Sequence, residues 1–339
     1  MGRASLLMVM GLGMVFAIIG MNMHGTTNFL VAAETGYAKY SMARNMARTA
    51  VHATLRAYDR NLSPIPSGGS LNGGSYTVVS RESGDTLWLT TKGLYADSSY
   101  TMHVKLLRTT KPFPAVNAAI GIRATPVNFS LTGKAGVDGH NYDATGTTLV
   151  GSGDVAGVAT MKGSDSATVK SAGGTNIVGV PPVKVDTSTV DPLACLNEYK
   201  SNSDYFYNTS GVYSSVTWGS PSSPAIVYCN AGDDTSFSIK FTGNVVGYGI
   251  LVVRGNVQFN GNFSFFGLVV VDGFNTVVQL GAAGTPQIVG GLIVAGNAGA
   301  SVTLKGTGTT GKVKYSSGAL AKAKNIGKLQ YYSILEWYE

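Results

Sequence analysis

The first sixty residues constrain the fold most, because they open with an apolar run long enough to cross a membrane. Residues 4–23 carry no charge, and a helix needs roughly 20 such residues to span lipid. A secretory signal has a shorter apolar core and a small-residue cleavage site, whereas here a second helical stretch, rich in Ala and basic residues, runs from about residue 27 to residue 58. The pattern predicts one long helix that ends near Asn61, where a Pro- and Gly-rich segment breaks it.

The apolar half of this helix needs a burial site other than water. Each large apolar side chain contributes about 1.5–3 kcal/mol when it is buried, so leaving lipid requires another apolar surface, which a bundle of identical helices supplies. Gly11, Gly13 and Gly20 permit close helix approach, although a simple membrane anchor is the alternative. The residues expected to form the assembly surface are Leu6, Leu7, Val9, Met10, Gly11, Gly13, Val15, Phe16, Ile18, Ile19, Gly20, Phe29, Leu30 and Glu34.

The second half of the helix has two different faces. A basic stripe with four-residue spacing consists of Arg44, Arg48, Arg56 and Arg60, with His52 in line. Small residues suited to close packing lie on the other side, namely Ala43, Met46, Ala47, Ala50, Ala53, Thr54 and Ala57. The basic stripe either meets acidic or carbonyl groups of an adjacent subunit or is a solvated face. Glu34 likewise either pairs with a neighbour's basic residue or is an ordinary exposed carboxylate.

Beyond the helix the composition predicts a turn-rich β body. Charged residues make up 13% of the chain, 45 residues are Gly, and the hydrophobic fraction of 44% is sufficient for a core. Residues 75–79, 85–90 and 100–107 alternate between apolar and polar with period two. They predict a small antiparallel meander that packs against the second half of the helix.

An irregular repeat occupies the C-terminal third. Apolar runs at 249–255, 267–273 and 291–296 each open with Gly, and each is followed by two shorter strand-like runs with Gly, Asn or Thr corners. Three short strands per turn are typical of a parallel β-helix. Residues 127–139 look like one more coil. A β-sandwich is the alternative, because short strands bounded by turns fit it too.

The repeat is expected to be interrupted between about residues 150 and 229. This insert predicts a short helix near 191–199, and a disulfide between Cys195 and Cys229, since a single cysteine pair beyond a membrane is commonly oxidised. Two buried free thiols are the alternative. The aromatic residues of the insert predict either a small core or a surface-binding face, and they are Tyr199, Tyr205, Phe206, Tyr207, Tyr213 and Trp218.

The sequence offers little for catalysis or cofactor binding, and we expect no enzyme, no catalytic residue and no cofactor. Carbohydrate enzymes on β-helices need two or three carboxylates on one coil face, whereas the core coils hold Asp272 and Arg254. Asp138, Asn141 and Asp143 are weak calcium candidates that turn chemistry explains better, so no metal site is predicted. Of the net charge of +7, +4 lies in the first 60 residues, and no basic, aromatic-interleaved patch is found on a folded domain, so no nucleic-acid partner is expected.

Taken in their order along the chain, these motifs resemble type IV pilin-like proteins that carry a C-terminal β-helix. The resemblance is carried by the apolar helix leading into 32–36, the meander with Pro-Phe-Pro at 112–114, the coil at 131–141, the core coils at 249–255 and 267–271, and the ending at 334–339. It implies a structural subunit of an extracellular surface filament, inserted in the inner membrane before assembly. The implied partners are further copies of the chain and the pilus assembly machinery, with prepilin peptidase as a further candidate.

Two other functions stay open at this point: a minor or tip pilin acting as an adhesin, and a membrane-anchored β-helical carbohydrate enzyme. The expected fold is mainly β with one long N-terminal α-helix, a small antiparallel meander and a parallel β-helix. The expected segments are 1–61 (helix, as membrane anchor and filament spine), 62–114 (meander), 115–149 (first coils), 150–229 (insert) and 230–339 (β-helix core and C-terminal cap).

Overall fold

The computed structural model describes residues 3–59, 64–186, 192–232, 238–281, 284–306 and 312–338, and they form a mainly β protein with one long N-terminal helix, as predicted. The helices are α1 (Arg3–Asp59), α2 (Gly163–Gly173), α3 (Leu196–Ser201) and α4 (Ser317–Lys324). The strands of the first unit are β1 (Gly68–Leu71), β2 (Gly74–Ser83), β3 (Thr86–Tyr95), β4 (Ser98–Thr110) and, from the end of the chain, β21 (Gln330–Tyr338). The chain divides into two compact units, Met1–Thr109 with Tyr331–Glu339, and Thr110–Gln330.

The strands of the second unit follow one another from β5 to β20. They are β5 (Ala118–Ile122), β6 (Val127–Gly133), β7 (Gly136–Asp138), β8 (Ala156–Thr160), β9 (Ile177–Val178), β10 (Val183–Val185), β11 (Tyr205–Tyr207), β12 (Gly211–Ser214), β13 (Thr217–Trp218), β14 (Ala225–Asn230), β15 (Ile239–Thr242), β16 (Asn244–Arg254), β17 (Val257–Phe259), β18 (Asn262–Leu280), β19 (Gln287–Gly306) and β20 (Lys312–Tyr315).

In the first unit, α1 packs its small-residue face on the sheet. The order of the sheet is β1-β2-β3-β4-β21, and β1 to β4 form the predicted antiparallel meander. Ala43, Ala47 and Ala50 have no exposed surface and Thr54 is also fully buried, while Ala53 is half-buried. The Thr91 hydroxyl of β3 donates a hydrogen bond of 3.1 Å to the Ala47 carbonyl oxygen. Small side chains therefore let the helix backbone approach the sheet within hydrogen-bonding distance.

The last strand, β21, belongs to this first sheet rather than capping the β-helix. It lies beside β4, and Lys105 of β4 and Glu336 of β21 form an ion pair of 3.1 Å. Tyr332 and Trp337 of β21 pack against the core of the first unit. This pairing corrects the expectation that residues up to 339 continue the β-helical segment.

The second unit is a parallel β-helix, so the β-sandwich alternative is wrong. All the strand pairs described in this unit are parallel, and β16, β18 and β19 are each long enough to turn a corner from one face of the coil to the next. Val269, Val270 and Val271 are all fully buried, which shows that this face of the coil is covered on both sides, as the continuous apolar run predicted.

The glycine at the corner before each repeat is required by the close stacking of coils, and in the third repeat the structure places it at Gly290, one residue before the predicted opening at Gly291. Gly249, Gly267 and Gly290 are in register and have φ values of 120°, 139° and 135°. A Cβ on Gly267 would lie 2.0 Å from the Gly249 carbonyl oxygen, and one on Gly290 would lie 2.0 Å from that of Gly267. Both the positive φ and the lack of space exclude a side chain at these corners.

The order of the coils in space differs from their order along the chain. The eight strands of one face follow the path β10-β8-β5-β19-β18-β16-β14-β11. The predicted early coil, with β6 and β7, is therefore part of the β-helix, but it stacks on the last coil, through pairs such as Leu292 with Ile120 and Ala300 with Val127. The first strand of the β-helix, β5, therefore lies in the middle of the stack, between β8 and β19.

The expected interruption between about residues 150 and 229 is also corrected by the strand pairing. Within this range β8, β10, β11 and β14 all join the parallel face. Their small or β-branched residues, such as Ala156 and Val158, are buried between neighbouring coils. The predicted short helix is present as a 3-10 turn followed by α3.

Candidate functional site

The strongest candidate for a functional site is the apolar first half of α1, which touches nothing else in the described chain. All described side chains from Met8 to residue 38 are exposed, and burial begins at Ala43. Met21 is 78% exposed and Phe29 is 73% exposed, values that are unusual for large apolar residues on a water-soluble surface. By length and composition alone this helix could cross a membrane, with a mean hydropathy of 1.5 over its most apolar window.

The residues predicted to form the assembly surface lie along this exposed half. Val9, Met10, Val15, Phe16, Ile18, Ile19, Phe29 and Leu30 are all exposed. A Cβ built on Gly11, Gly13 or Gly20 would meet nothing within 4 Å, and Glu34 is exposed. Leu6 and Leu7 lie in α1, but their side chains are outside the described part of the structure. The role of all these residues in assembly stays a prediction.

Four polar residues of this half form side-chain hydrogen bonds within the helix itself. The hydroxyls of Thr26 and Thr27 each donate a hydrogen bond of 2.8 Å to the carbonyl oxygen four residues earlier. Asn28 Nδ2 lies 3.1 Å from His24 Nε2. Because these bonds are internal, this stretch can enter an apolar environment with fewer polar groups left unpaired.

A set of contacts anchors α1 where its exposed half ends. Lys39 and Asp97 form an ion pair of 2.9 Å, and the hydrogen bond from Lys39 lowers the pKa of the Asp97 carboxyl. The Tyr40 and Tyr100 rings meet edge to face with centroids 5.3 Å apart. The guanidinium of Arg44 lies 5.9 Å from the Tyr100 ring centroid. No pattern in the sequence predicts this anchor, because the alternation within the meander places Tyr100 in a strand but does not indicate its partners on α1.

The basic stripe is divided by the structure. Arg44 and Arg48 are half-buried, whereas His52 and Arg56 are exposed, and Arg60 lies outside the described residues. The guanidinium of Arg44 lies against the Tyr100 ring within the first unit. This contact is compatible with the alternative that the stripe is a solvated face. A role of the other stripe residues in contacts with a second subunit stays a prediction.

The predicted disulfide is not present, because Cys195 and Cys229 are both buried and are not bonded to each other. Cys195 Sγ lies 3.2 Å from the Pro112 carbonyl oxygen and donates to it. Cys229 is a fully enclosed residue of β14, and burial raises the pKa of its thiol to about 12. The two sulfurs therefore lie in separate enclosed environments. This agrees with the alternative of two buried thiols.

Most of the predicted aromatic face is core. Tyr199 and Trp218 are buried, and burial raises the pKa of the Tyr199 hydroxyl. Trp218 Nε1 donates to the Tyr207 hydroxyl at 3.1 Å, and the Tyr207 and Tyr213 ring centroids are 4.6 Å apart. Of the six residues, Tyr205 and Phe206 remain exposed, at 38% and 47%.

The three calcium candidates serve local turns. Asp138 Oδ1 lies 2.8 Å from His140 Nδ1, and its Oδ2 accepts from the Tyr142 hydroxyl at 2.8 Å, so that burial and this bond raise the pKa of Tyr142 to about 12. Asn141 Nδ2 donates to the Ser152 carbonyl oxygen at 2.8 Å. Asp143 accepts from the Thr145 hydroxyl, which lowers its pKa to about 2. Within the described ranges no three His, Cys, Asp or Glu side chains are grouped as metal ligands.

The β-helix unit also carries a small cleft of about 120 Å³. Tyr248 and Phe266, stacked with centroids 4.9 Å apart, lie beside Pro221 and Ala319, and Lys322 is the charged residue in the lining. Asp272, the carboxylate of the core coils, is in register opposite Arg254 of the neighbouring coil. Neither place brings together the paired carboxylates that glycoside hydrolysis needs.

No protein-family model matches this chain, and no curated protein matches it. Among solved structures, the chain is similar to the competence-associated pilin ComZ from Thermus thermophilus, at 10% sequence identity and a TM-score of 0.26. That similarity covers 88% of this chain and 96% of the pilin. At this score the likeness carries no argument about this chain.

Proposed function

We propose that this protein is a structural, non-enzymatic subunit of a type IV pilus-like extracellular filament, and that it polymerises through the first half of α1. One observation carries the proposal: a single continuous helix is packed into a folded unit over its second half and is exposed and apolar over its first.

The exposed half cannot remain in water. Fourteen large apolar side chains between Met8 and Val31 are exposed, and burying them contributes on the order of 20–40 kcal/mol. This exceeds the roughly 5–15 kcal/mol by which a whole domain is stable. The helix therefore resides in lipid or against other apolar helices.

The length of the exposed half favours a helical bundle over a plain membrane anchor. The exposed stretch from Met8 to residue 38 is about 46 Å long at 1.5 Å per residue, whereas the hydrocarbon core of a bilayer is about 30 Å thick. Residues 4–23 are sufficient to fill it, yet Phe29, Leu30, Val31 and Tyr37 beyond them are still at least half exposed. Neighbouring copies of α1 cover the whole length, which lipid alone does not.

In this proposal the chain is held in the inner membrane before assembly and lies on the cell surface afterwards. Its partners are further copies of itself and the pilus assembly machinery, including a prepilin peptidase. The β-helix is then the folded unit that each subunit displays on the filament.

The test compares Phe29→Glu with the matched control Phe274→Glu in cells that produce the full chain. Phe29 lies beyond the segment that fills the bilayer and is 73% exposed, and Phe274 of the β-helix is 56% exposed. We expect electron microscopy of sheared surface material to show filaments for the unchanged chain and for Phe274→Glu. Phe29→Glu is expected to give membrane-held subunits without filaments, and filaments of normal number and length from this variant would refute the proposal.

A further inference from the structure

The parallel face of the β-helix has two open edges. In the described chain β10 pairs with β8 alone and β11 pairs with β14 alone, so that these two strands end the eight-strand path. An edge strand presents a row of unpaired backbone N–H and C=O groups, which another strand can pair with.

The two edge strands, β10 and β11, run in the same direction. Each contributes the last residue of the same three rows of side chains. One row runs from Tyr205 through Val227, Leu251, Val269, Leu292, Ile120 and Val158 to Val183. The neighbouring row joins Phe206 at one edge to Lys184 at the other, and the third joins Tyr207 to Val185. A strand added to the face beyond β10 in the same direction would therefore have the same orientation and register as β11.

An apolar side chain is exposed at three of the row ends, whereas Val183, at the β10 end of the first row, is buried. The inner members of the first row have no exposed surface, whereas Tyr205 at its end is 38% exposed. In the other two rows Phe206 is 47% and Val185 is 48% exposed. One more strand at either edge would cover them.

The molecule already contains a junction of this kind. The coil formed by β5, β6 and β7 stacks on the coil formed by β19 and β20, although more than 150 residues of chain separate their strands. Val294 pairs with Ile122 there in the same parallel sense as every other pair of the face. Coils of this β-helix thus join end to end without a direct covalent connection.

We propose that the β-helices of two copies of this chain join end to end, with β11 of one copy pairing in parallel with β10 of the next. The register places Tyr205 opposite Val183, Phe206 opposite Lys184 and Tyr207 opposite Val185. Because the two edges differ, the contact is heterologous and propagates from copy to copy. The inference rests on the proposed function for the supply of many aligned copies.

A second copy fits these edges better than an unrelated strand does, because the copy continues all three rows at once. A single added strand would cover one edge and leave another open. Helix α2 packs against β6 and also contacts β8 and β10. A second copy that pairs with β10 must therefore be seated beside α2.

The test is a cysteine pair, Lys184→Cys with Phe206→Cys, in the full chain. Within one copy these positions are seven strand spacings apart, roughly 34 Å, which is far beyond the 7 Å limit for a disulfide. A disulfide between them therefore joins two copies. The native Cys195 and Cys229 are buried and do not compete. The matched control is Phe274→Cys with Phe206→Cys, because Phe274 is exposed on β18, in the middle of the eight-strand path.

After mild oxidation of surface filaments, we expect the Lys184→Cys/Phe206→Cys chain to give a ladder of dimers, trimers and longer species on a non-reducing gel. The control pair should give at least tenfold less. Filaments without a ladder, or equal ladders from both pairs, would overturn this inference while leaving the filament proposal intact. A ladder from cells whose sheared surface material contains no filaments would support the junction and count against the filament proposal alone.

Discussion

Gly93 of β3 lies so close to Ala43 of α1 that a Cβ built on the glycine would be 2.1 Å from the Ala43 carbonyl oxygen. The same Cβ would be 2.5 Å from the Ala47 backbone nitrogen. Both atoms belong to the helix backbone and cannot rotate away. The absence of a side chain on β3 and the small residues on α1 together determine how tightly the helix and sheet pack.

Replacing Gly93 should therefore destabilise the first unit. We expect Gly93→Ala to lower its free energy of unfolding by about 2–3 kcal/mol, because the helix must move away from the sheet. Urea unfolding of the chain in detergent, followed by Trp88 fluorescence, measures this. Gly36→Ala is the control, since a Cβ at Gly36 meets nothing within 4 Å and Ala favours the helix. Equal stability of the two variants would contradict the packing argument.

The corner glycines of the β-helix make a similar prediction for the second unit. Gly267→Ala combines a φ of 139° with a Cβ only 2.0 Å from the Gly249 carbonyl oxygen, so we expect a loss of about 3 kcal/mol or more. Gly121→Ala, in the same face but with open space at its Cβ, should change stability by less than about 1 kcal/mol. Thermal unfolding followed by circular dichroism compares the two.

The loop held by Asp143 should loosen in acid. Its pKa is lowered to about 2, chiefly by the hydrogen bond from the Thr145 hydroxyl and then by the Thr148 backbone N–H. A carboxyl whose pKa is lower in the folded state stabilises that state above its ordinary value near 4, and the contribution is lost as the pH falls towards 2. We expect amide exchange at Thr147 and Thr148, corrected for intrinsic rates, to increase over that window. Asp143→Asn should show fast exchange at every pH in the window.

Both cysteines should behave as buried free thiols. In protein purified without reductant, we expect a thiol-reactive dye at pH 8 to label neither Cys195 nor Cys229 rapidly, since both are buried and the thiolate is the reactive form. After unfolding in guanidinium the dye should label both. Absence of any labelled thiol after unfolding would mean that the two residues are joined as a disulfide after all.

The basic stripe of α1 gives a prediction about assembly. Arg48→Glu together with Arg56→Glu should abolish filaments and leave a folded subunit, if the stripe meets acidic or carbonyl groups of a neighbouring copy. Arg81→Glu with Lys92→Glu is the matched control, because it makes the same charge change at exposed positions of β2 and β3. Normal filaments from the α1 variant, seen by electron microscopy, would exclude a role of Arg48 and Arg56 in contacts between copies.

Local periodicity explains which parts of the fold could be predicted. The small-residue face of α1, the meander and the Gly-opened repeat all follow patterns within a few residues, and these were predicted from the sequence. The pairing of β5 with β19 and of β21 with β4 joins segments far apart in the chain. A local periodic pattern in the sequence does not indicate such long-range pairing. The disulfide prediction was wrong for a related reason, because a cysteine count contains no distance between Cys195 and Cys229. Tyr199 and Trp218 were grouped with Phe206 by composition, although burial separates them.

The entry of the chain into the middle of its own β-helix sets the timing of folding. Strand β5 is made early, yet it is enclosed between β8 and β19, and β19 emerges about 170 residues later. Closing so distant a contact is slow and costs chain entropy. One apolar side of the early coils therefore stays uncovered until nearly the whole polypeptide has been synthesised. A truncated chain that stops before residue 287 would retain that uncovered side permanently, which makes it a substrate for chaperones and proteases rather than a smaller version of the same protein.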